Sequence, residues 1–122
     1  MLGLIYCATP SRIVTKIEEI MDYVTEQGLA PFHPFQAFPY KRFEGNPNIG
    51  RQKAMEFCFR AVEISDRVWI FGISHGTLQE SKTALAKKKP LELHLQFDPQ
   101  WRKFYEELGK EYGNLLDYLM KP

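Results

Sequence analysis

The stretch at residues 66–91 constrains the fold of this chain more than any other. It reads DRVWIFGISHGTLQESKTALAKKKPL. Residues 68–71 form a short apolar run of β-branched and aromatic side chains, which is typical of a buried strand. Residues 72–76 interrupt this run, and residues 77–89 are good helix formers that end at Pro90. This order of strand, turn and helix predicts one unit of a parallel α/β fold.

The rest of the chain repeats the same alternation. We predict strands at residues 2–7, 29–32, 67–71 and 91–97, the last with the alternating polarity of a strand near a sheet edge. We predict helices at residues 11–27, 51–65 and 77–89 and from residue 98 onward, and an aromatic-rich loop at residues 33–50. Alternating elements of this kind form βαβ units. The expected fold is therefore α/β, a flavodoxin-like or Rossmann-like three-layer sandwich with a small parallel sheet of about four or five strands.

Length and composition are those of an ordinary globular domain. The chain has 122 residues, which we read as a single domain over residues 1–122, and its formal net charge is +1. A charge near zero argues against non-specific binding to nucleic acid or to an anionic membrane. The first residues resemble a strand rather than a signal peptide, and no apolar run is long enough to span a membrane. Cys7 and Cys58 are expected to be reduced, semi-buried thiols in a cytoplasmic protein without a metal or redox cofactor.

Three predicted loops meet at the carboxyl edge of such a sheet, where parallel α/β folds bind their ligands. Their polar side chains, with Glu80 just behind, are Thr9, Ser11, Arg12, His33, Lys41, Arg42, Ser74, His75 and Thr77. Hydroxyl groups at a helix N-terminus suit a phosphate or a sugar. The loop aromatics, which suit a flat ring, are Phe32, Phe35, Phe38, Tyr40 and Phe43. This combination predicts a small-molecule site for a nucleoside or nucleotide.

Two short motifs carry a resemblance to a known family. Residues 5–10 read IYCATP and residues 74–80 read SHGTLQE, followed by Ala84 and by Lys89-Pro90. In this order and spacing the chain resembles the nucleoside 2-deoxyribosyltransferase family over nearly its whole length. The resemblance implies that Glu80 is a nucleophile that attacks C1′ of a deoxyribose and displaces the base. Chemically, a carboxylate nucleophile divides N-glycosidic cleavage into two easier steps, and nearby helix N–H groups are expected to keep it ionised.

The sequence also departs from the family pattern. Transferases of the family place Asp where this chain has Ser74. The related deoxynucleoside 5′-monophosphate N-glycosidases have Ser there, which contacts the phosphate. Both branches have an Asp at the position of Cys58, where it orients the sugar and helps to protonate the base. Lys82 replaces a usual Gly and is expected to narrow the pocket or change its charge. Thr9 also stands where the family usually has Gly.

The resemblance and the crevice together define the predicted site. Glu80 is the predicted catalytic residue, and no metal ligand is predicted. The predicted substrate-binding residues are Tyr6, Ala8, Thr9, Pro10, Ser11, Arg12, Phe35, Ser74, His75, Gly76 and Thr77. The family also implies a homo-oligomer, with the aromatic side of the last helix either in the subunit contact or covering the sheet.

Two alternatives to this prediction stay open. Glu80 could be a solvated helix residue paired with Lys82 or Lys87, which removes the catalytic role. The chain could also be a non-catalytic nucleotide-binding module that kept the cleft and lost part of the machinery, as Cys58 suggests. Other α/β classes fit less well, because the chain lacks the acidic residues of a receiver domain, the Gly-rich first loop of a flavodoxin and the Gly-x-Gly-x-x-Gly motif of a dinucleotide-binding domain.

Overall fold

The computed structural model describes residues 3–121. Its strands are β1 (Leu4–Ala8), β2 (Ala30–Phe32), β3 (Arg67–Ile70) and β4 (Leu91–Leu93). Its α-helices are α1 (Ile17–Thr25), α2 (Pro34–Ala37), α3 (Tyr40–Glu44), α4 (Gly50–Ile64), α5 (His75–Ala86) and α6 (Trp101–Leu119). Two 3₁₀ turns, Ser11–Lys16 and Leu95–Phe97, complete the order.

The strands form one parallel sheet in the order β2-β1-β3-β4. Leu4 pairs with Ala30, Cys7 pairs with Trp69, and Val68 pairs with Leu91, all in parallel register. The predicted α/β fold with a small parallel sheet is therefore confirmed. The chain leaves β1 toward one edge of the sheet and leaves β3 toward the other, so a crevice opens between the carboxyl ends of these two strands.

Side chains alternate across the sheet and form two separate cores. Ile5 and Cys7 of β1 pack with the α1 side, in a cluster of Ile5, Cys7, Ile13, Ile20, Val24, Trp69 and Phe71. Tyr6 and Ala8 face α4 and α5, in a cluster of Tyr6, Ala8, Cys58, Ala61, Val62, Val68, Ile70 and Ala84. A third cluster joins α5 to α6 through Ile73, Leu78, Tyr112, Leu115 and Leu116. Helices on both faces of the sheet give the three layers that the sequence predicts.

The predicted loop at residues 33–50 contains two short helices, which the sequence pattern does not predict. The Nδ1 atom of His33 accepts the backbone N–H of Phe35 at 3.3 Å, and Pro34 occupies the first turn of α2. A capping side chain followed by proline is a helix start. The segment is therefore ordered locally and presents Phe35 and Tyr40 in defined positions.

Two further boundaries differ from the prediction. The strand expected at residues 91–97 ends at Leu93, and a 3₁₀ turn follows. At this point the His94 ring leaves the strand pattern and stacks on Trp69, at 4.1 Å between centroids. The first predicted helix begins as a 3₁₀ turn, with non-helical backbone at Ile13. Position 2 of the first predicted strand lies outside the described residues. Among residues 3–121, no helix combines the length and apolar character that a membrane crossing requires.

Candidate functional site

A cavity of about 400 Å³ opens at the crevice between β1 and β3. The three predicted loops contribute to its wall, together with side chains of α4, Glu80 of α5 and one side chain of α6. The lining residues are Thr9, Pro10, Ser11, Arg12, Pro34, Phe35, Tyr40, Glu44, Arg51, Met55, Cys58, Ser74, His75, Gly76, Thr77, Glu80 and Phe104. A volume of this size is in the usual range for small-molecule sites.

Glu80 lies in the second turn of α5, at the base of this cavity. Its side chain is buried, with 5% of the residue exposed, and it accepts a hydrogen bond from the Tyr6 hydroxyl. Burial raises the pKa of Glu80 to about 8, although the Tyr6 hydrogen bond opposes the shift. The expectation that helix N–H groups keep Glu80 ionised is therefore wrong, because desolvation outweighs them. At neutral pH most of this carboxyl group is protonated.

The lysines near Glu80 in sequence do not reach it. Lys87 pairs with Glu63 at 3.3 Å. Lys82 is exposed, with its Nζ atom 5.4 Å from the ring centroid of Tyr112, and it does not line the cavity. The expected crowding by Lys82 is thus wrong, and so is the alternative of a solvated Glu80 paired with a lysine.

Ser74 and Thr77 shape the start of α5. The Ser74 hydroxyl oxygen accepts the Thr77 backbone N–H at 3.1 Å, and the Thr77 hydroxyl oxygen accepts the Ser74 N–H at 2.9 Å. This reciprocal capping fixes the first turn. Thr77 also donates its hydroxyl proton to the Gly72 carbonyl at 2.8 Å. The backbone N–H groups of His75 and Gly76 lie in this first turn, where a helix has no internal acceptor for them.

Arg12 reaches the cavity from the loop after β1, but it is already paired. It forms an ion pair with Asp98, whose side chain is fully buried, and its guanidinium carbon lies 3.7 Å from the ring centroid of Phe104. Asp98 also accepts the backbone N–H groups of Ile73 and Gln100, each at 3.2 Å. The ion pair holds the Arg12 guanidinium at the cavity wall and offsets its positive charge.

Gly72 lets the two loops above β1 and β3 approach closely. A Cβ atom at this position would lie 2.5 Å from Pro10 Cγ and 2.7 Å from Asp98 Oδ2. Any larger residue at position 72 therefore displaces the Pro10 loop or the Asp98 carboxylate. The close approach brings Arg12, Ser74 and the α5 N-terminus to the same wall of the cavity.

Cys58 and Tyr40 form a second polar contact at the base of the cavity. The Tyr40 hydroxyl oxygen lies 2.6 Å from Cys58 Sγ. Burial raises the pKa of both groups, and the nearby Glu80 carboxyl raises them further. Both side chains thus stay protonated at physiological pH, so Cys58 is no substitute for an ionised carboxylate.

Thr9, which lines the cavity, forms a hydrogen bond with the buried His33 side chain. The His33 Nε2–H donates to Thr9 Oγ1 at 3.1 Å, and the Thr9 hydroxyl donates to the Cys7 carbonyl at 3.0 Å. Burial lowers the pKa of His33 to about 4, so this ring is neutral at pH 7. The pair connects the end of β1 to the start of α2.

Most of the predicted site residues meet in the cavity. Those that line it are Thr9, Pro10, Ser11, Arg12, Phe35, Ser74, His75, Gly76, Thr77 and Glu80. Tyr6 and Ala8 are fully buried in the sheet, and Tyr6 reaches the site only through Glu80. Exposed lysine and arginine at positions 41 and 42 do not line the cavity.

Several cavity residues were not predicted. Glu44 and Arg51 lie at the ends of α3 and α4, and Phe104 comes from α6, far away in sequence. Asp98 is the predicted start of the last helix, but α6 begins at Trp101 and Asp98 instead anchors Arg12. The spacing of Tyr40 and Glu44, four residues apart, is the one signal that could have indicated a shared helix face. The contacts of Asp98 and Phe104 depend on tertiary packing.

Comparisons with known proteins add no assignment. Neither the scan against protein-family models nor the search of curated proteins finds a match for this chain. Within the part of the chain that the structure describes, no group of three or more His, Cys, Asp or Glu side chains is placed to hold a metal ion.

Proposed function

We propose that this protein binds a nucleoside or its 5′-monophosphate in the cavity and cleaves or transfers at the N-glycosidic bond, with Glu80 as nucleophile. The observation that carries the proposal is the buried Glu80 carboxyl group at the base of the cavity, hydrogen-bonded by Tyr6. A buried carboxyl group that faces a cleft is a common feature of catalytic sites. The motif resemblance at residues 5–10 and 74–80 supports the same role.

The proposed reaction has two steps. The Glu80 carboxylate attacks C1′ of the sugar, the bond between C1′ and the base nitrogen breaks, and the base takes up a proton from water as it leaves. The sugar is then bound to Glu80 as an ester. Water or another base attacks C1′ next, loses a proton and releases the Glu80 carboxylate, as in retaining glycoside hydrolysis.

The walls of the cavity suit both parts of such a ligand. Phe35 offers an aromatic ring for a base, and Ser11 and Ser74 provide hydroxyl groups for a sugar. Arg12 and the N-terminus of α5 favour an anion such as a 5′-phosphate, although Asp98 offsets part of the positive charge. These features support both a nucleoside and its monophosphate as ligands.

The state of Glu80 sets the expected pH dependence. Only the carboxylate form is nucleophilic, and burial raises the Glu80 pKa to about 8. The fraction of active protein therefore rises as the pH increases through about 8. Base release should be several times faster at pH 9 than at pH 7.

A second candidate is a non-catalytic nucleoside- or nucleotide-binding module. The observation in its favour is Cys58, a neutral thiol at the place where the family has a carboxylate, beside a mostly protonated Glu80. This candidate keeps the cavity and its ligand and predicts no bond cleavage. Ligand binding together with absent base release is the result that distinguishes it.

We also propose that the protein is cytoplasmic and forms a homo-oligomer. Phe57 and Ile64, seven residues apart on α4, are large apolar side chains with 37% and 68% of their surface exposed. This spacing puts both on one side of the helix. Light scattering of the purified chain tests the oligomer, and a monomer at all concentrations contradicts it.

The test of the proposed function is a direct assay of base release. The protein is incubated with the deoxynucleosides and their 5′-monophosphates, and free base is followed by chromatography. We expect release by the wild type and a loss of at least about 10³-fold in Glu80→Gln. Gln79→Glu in the Glu80→Gln background is the matched control, because it restores a carboxyl group one position away, and it should not restore activity. No base release from any substrate, with a ligand-induced rise in melting temperature, contradicts the enzyme and supports the binding module.

A further inference from the structure

Tyr40 and Cys58 have no role in the chemistry described so far, although both line the cavity beside Glu80. Tyr40 is the first residue of α3, and Cys58 lies in α4. Their side chains touch through the hydroxyl oxygen and the sulfur, 2.6 Å apart. This pair connects the aromatic segment after β2 to the helix that covers the sheet.

The Tyr40 ring is held on several sides. Its centroid lies 5.0 Å from that of Phe35, 6.2 Å from that of Phe43 and 6.3 Å from that of Phe38. Aromatic pairs at these distances pack favourably. The hydroxyl group therefore has a fixed position at the cavity wall, so that a ligand meets it without a large rearrangement.

The contact to Cys58 leaves the Tyr40 hydroxyl available. Either atom can donate in this pair, but sulfur is only a weak acceptor. An oxygen or nitrogen acceptor of a ligand attracts the Tyr40 proton more strongly than sulfur does. The thiol can then donate its own proton to the Tyr40 oxygen, so both groups stay satisfied when the ligand is bound.

We propose that Tyr40 is a ligand-binding residue that donates a hydrogen bond to an acceptor on the base, and that Cys58 is a positioning residue that holds its hydroxyl group. The assignment to the base follows from Phe35, which lines the same wall beside Tyr40 and can stack on a flat ring. This inference rests on the proposed nucleoside ligand, but not on catalysis.

Burial raises the pKa of the Tyr40 phenol far above its usual value. The hydroxyl group therefore remains a donor at neutral and mildly alkaline pH. Recognition through Tyr40 should not depend on pH between about 6 and 9, in contrast to base release, which follows the ionisation of Glu80.

The test measures binding in the Glu80→Gln background, so that no substrate is consumed. The probes are deoxyadenosine, deoxyguanosine, deoxycytidine and thymidine, with free deoxyribose as the ligand that lacks a base. We expect Tyr40→Phe to weaken nucleoside binding about three- to tenfold and to leave deoxyribose unaffected. Tyr118→Phe removes the hydroxyl group of an exposed tyrosine on α6 and should change neither.

Cys58→Ala tests the positioning role. It should weaken nucleoside binding by a smaller factor than Tyr40→Phe, and the double variant should bind no more weakly than Tyr40→Phe alone, because both changes act through one hydrogen bond. Cys58→Ser retains a donor and should restore most of the affinity. Melting temperatures of all variants separate a loss of folding from a loss of recognition.

Several results overturn this proposal. They are nucleoside affinity unchanged in Tyr40→Phe, equal losses for nucleosides and deoxyribose, or additive effects in the double variant. Failure of the proposed function is a different result, namely no base release by the wild type while the nucleosides still bind. If none of the probes binds at all, the proposal for Tyr40 fails together with the ligand class.

Discussion

The two faces of the sheet use the same strands for different purposes. On the α1 face, Trp69 and Phe71 fill the space with large rings. On the opposite face β1 ends in Ala8, a small residue that lies in one cluster with Tyr6. Small side chains leave room for polar groups and a cavity. One face therefore supplies stability, and the other accommodates the site.

The two cysteines illustrate the same difference. Cys7 lies on the α1 face among apolar side chains, and burial raises its pKa to about 12. Cys58 lies on the site face, where it also lines the cavity and contacts the Tyr40 hydroxyl. Both are buried and protonated, but only Cys58 has a polar side-chain partner that lines the cavity.

The largest expected effect is on stability, from a change on the α1 face. Trp69 is 3% exposed and packs against Tyr23, Phe71 and His94. Trp69→Ala should cost about 3 to 5 kcal/mol of unfolding free energy, since it leaves a large void. Urea denaturation measures the loss. The folded variant should bind nucleosides as the wild type does, and a folded protein that has lost binding contradicts the separation of the two faces.

On the site face a substitution should increase the unfolding free energy, because burial of the Glu80 carboxyl group destabilises the folded protein. The folded protein holds the Glu80 proton up to about pH 8, whereas the usual value is 4.5. Between these pH values the unfolded chain binds fewer protons, so wild-type stability falls as the pH rises. Glu80→Gln removes this penalty and should be more stable by about 3 kcal/mol at pH 7.

The pH dependence checks the cause of that gain. The difference in unfolding free energy between Glu80→Gln and wild type should be small near pH 4.5, grow with pH and level off above about 8. Denaturant unfolding at a series of pH values measures it. Equal stability of the two proteins at pH 8 shows that the Glu80 carboxyl group is solvated, which contradicts its buried position.

The smallest expected effect is a shift in the pH profile of base release, and it should differ between two tyrosine hydroxyl groups on opposite faces of the sheet. Tyr6 donates to Glu80 and lowers its pKa against the effect of burial. Tyr6→Phe should therefore move the midpoint of the pH profile for base release upward by about 1 pH unit. Tyr23→Phe removes the hydroxyl group that contacts His94 Nδ1 at 2.8 Å on the other face. It should leave the midpoint in place, and a similar shift in both variants shows that the effect is not local.

The parallel fold was predictable because strands and helices have different periodicities. The run at residues 67–70 and the helix before Pro90 are visible in the sequence, and the structure confirms both. The predicted ends of helices and strands were wrong where a single side chain makes a particular contact. His33 caps a helix inside the predicted loop, and the stacking of His94 on Trp69 accompanies the end of β4 at Leu93.

The candidate site was predictable only for segments that leave the carboxyl ends of the strands. Topology alone brings Ser11 and Ser74 to one edge of the sheet, and both line the cavity. The side chains that pair with Arg12 and Glu80 and modify their charges could not be predicted from the sequence. Asp98 neutralises Arg12 from a segment 86 positions away, and Tyr6 contacts Glu80 across 74 positions. The protonation of Glu80 follows from burial, which depends on the packed structure.

The central claim is that Glu80 forms a bond to the sugar. A 2′-deoxy-2′-fluoro-arabino nucleoside tests it directly, because fluorine next to C1′ slows the release of a glycosyl-enzyme. After incubation at pH 9 and trypsin digestion, mass spectrometry of the peptide at residues 68–82, VWIFGISHGTLQESK, should show the added fluorodeoxyribosyl group on Glu80. The Glu80→Gln protein should show none. Base release by the wild type with the label on another residue, or with labelling unchanged in Glu80→Gln, contradicts this claim.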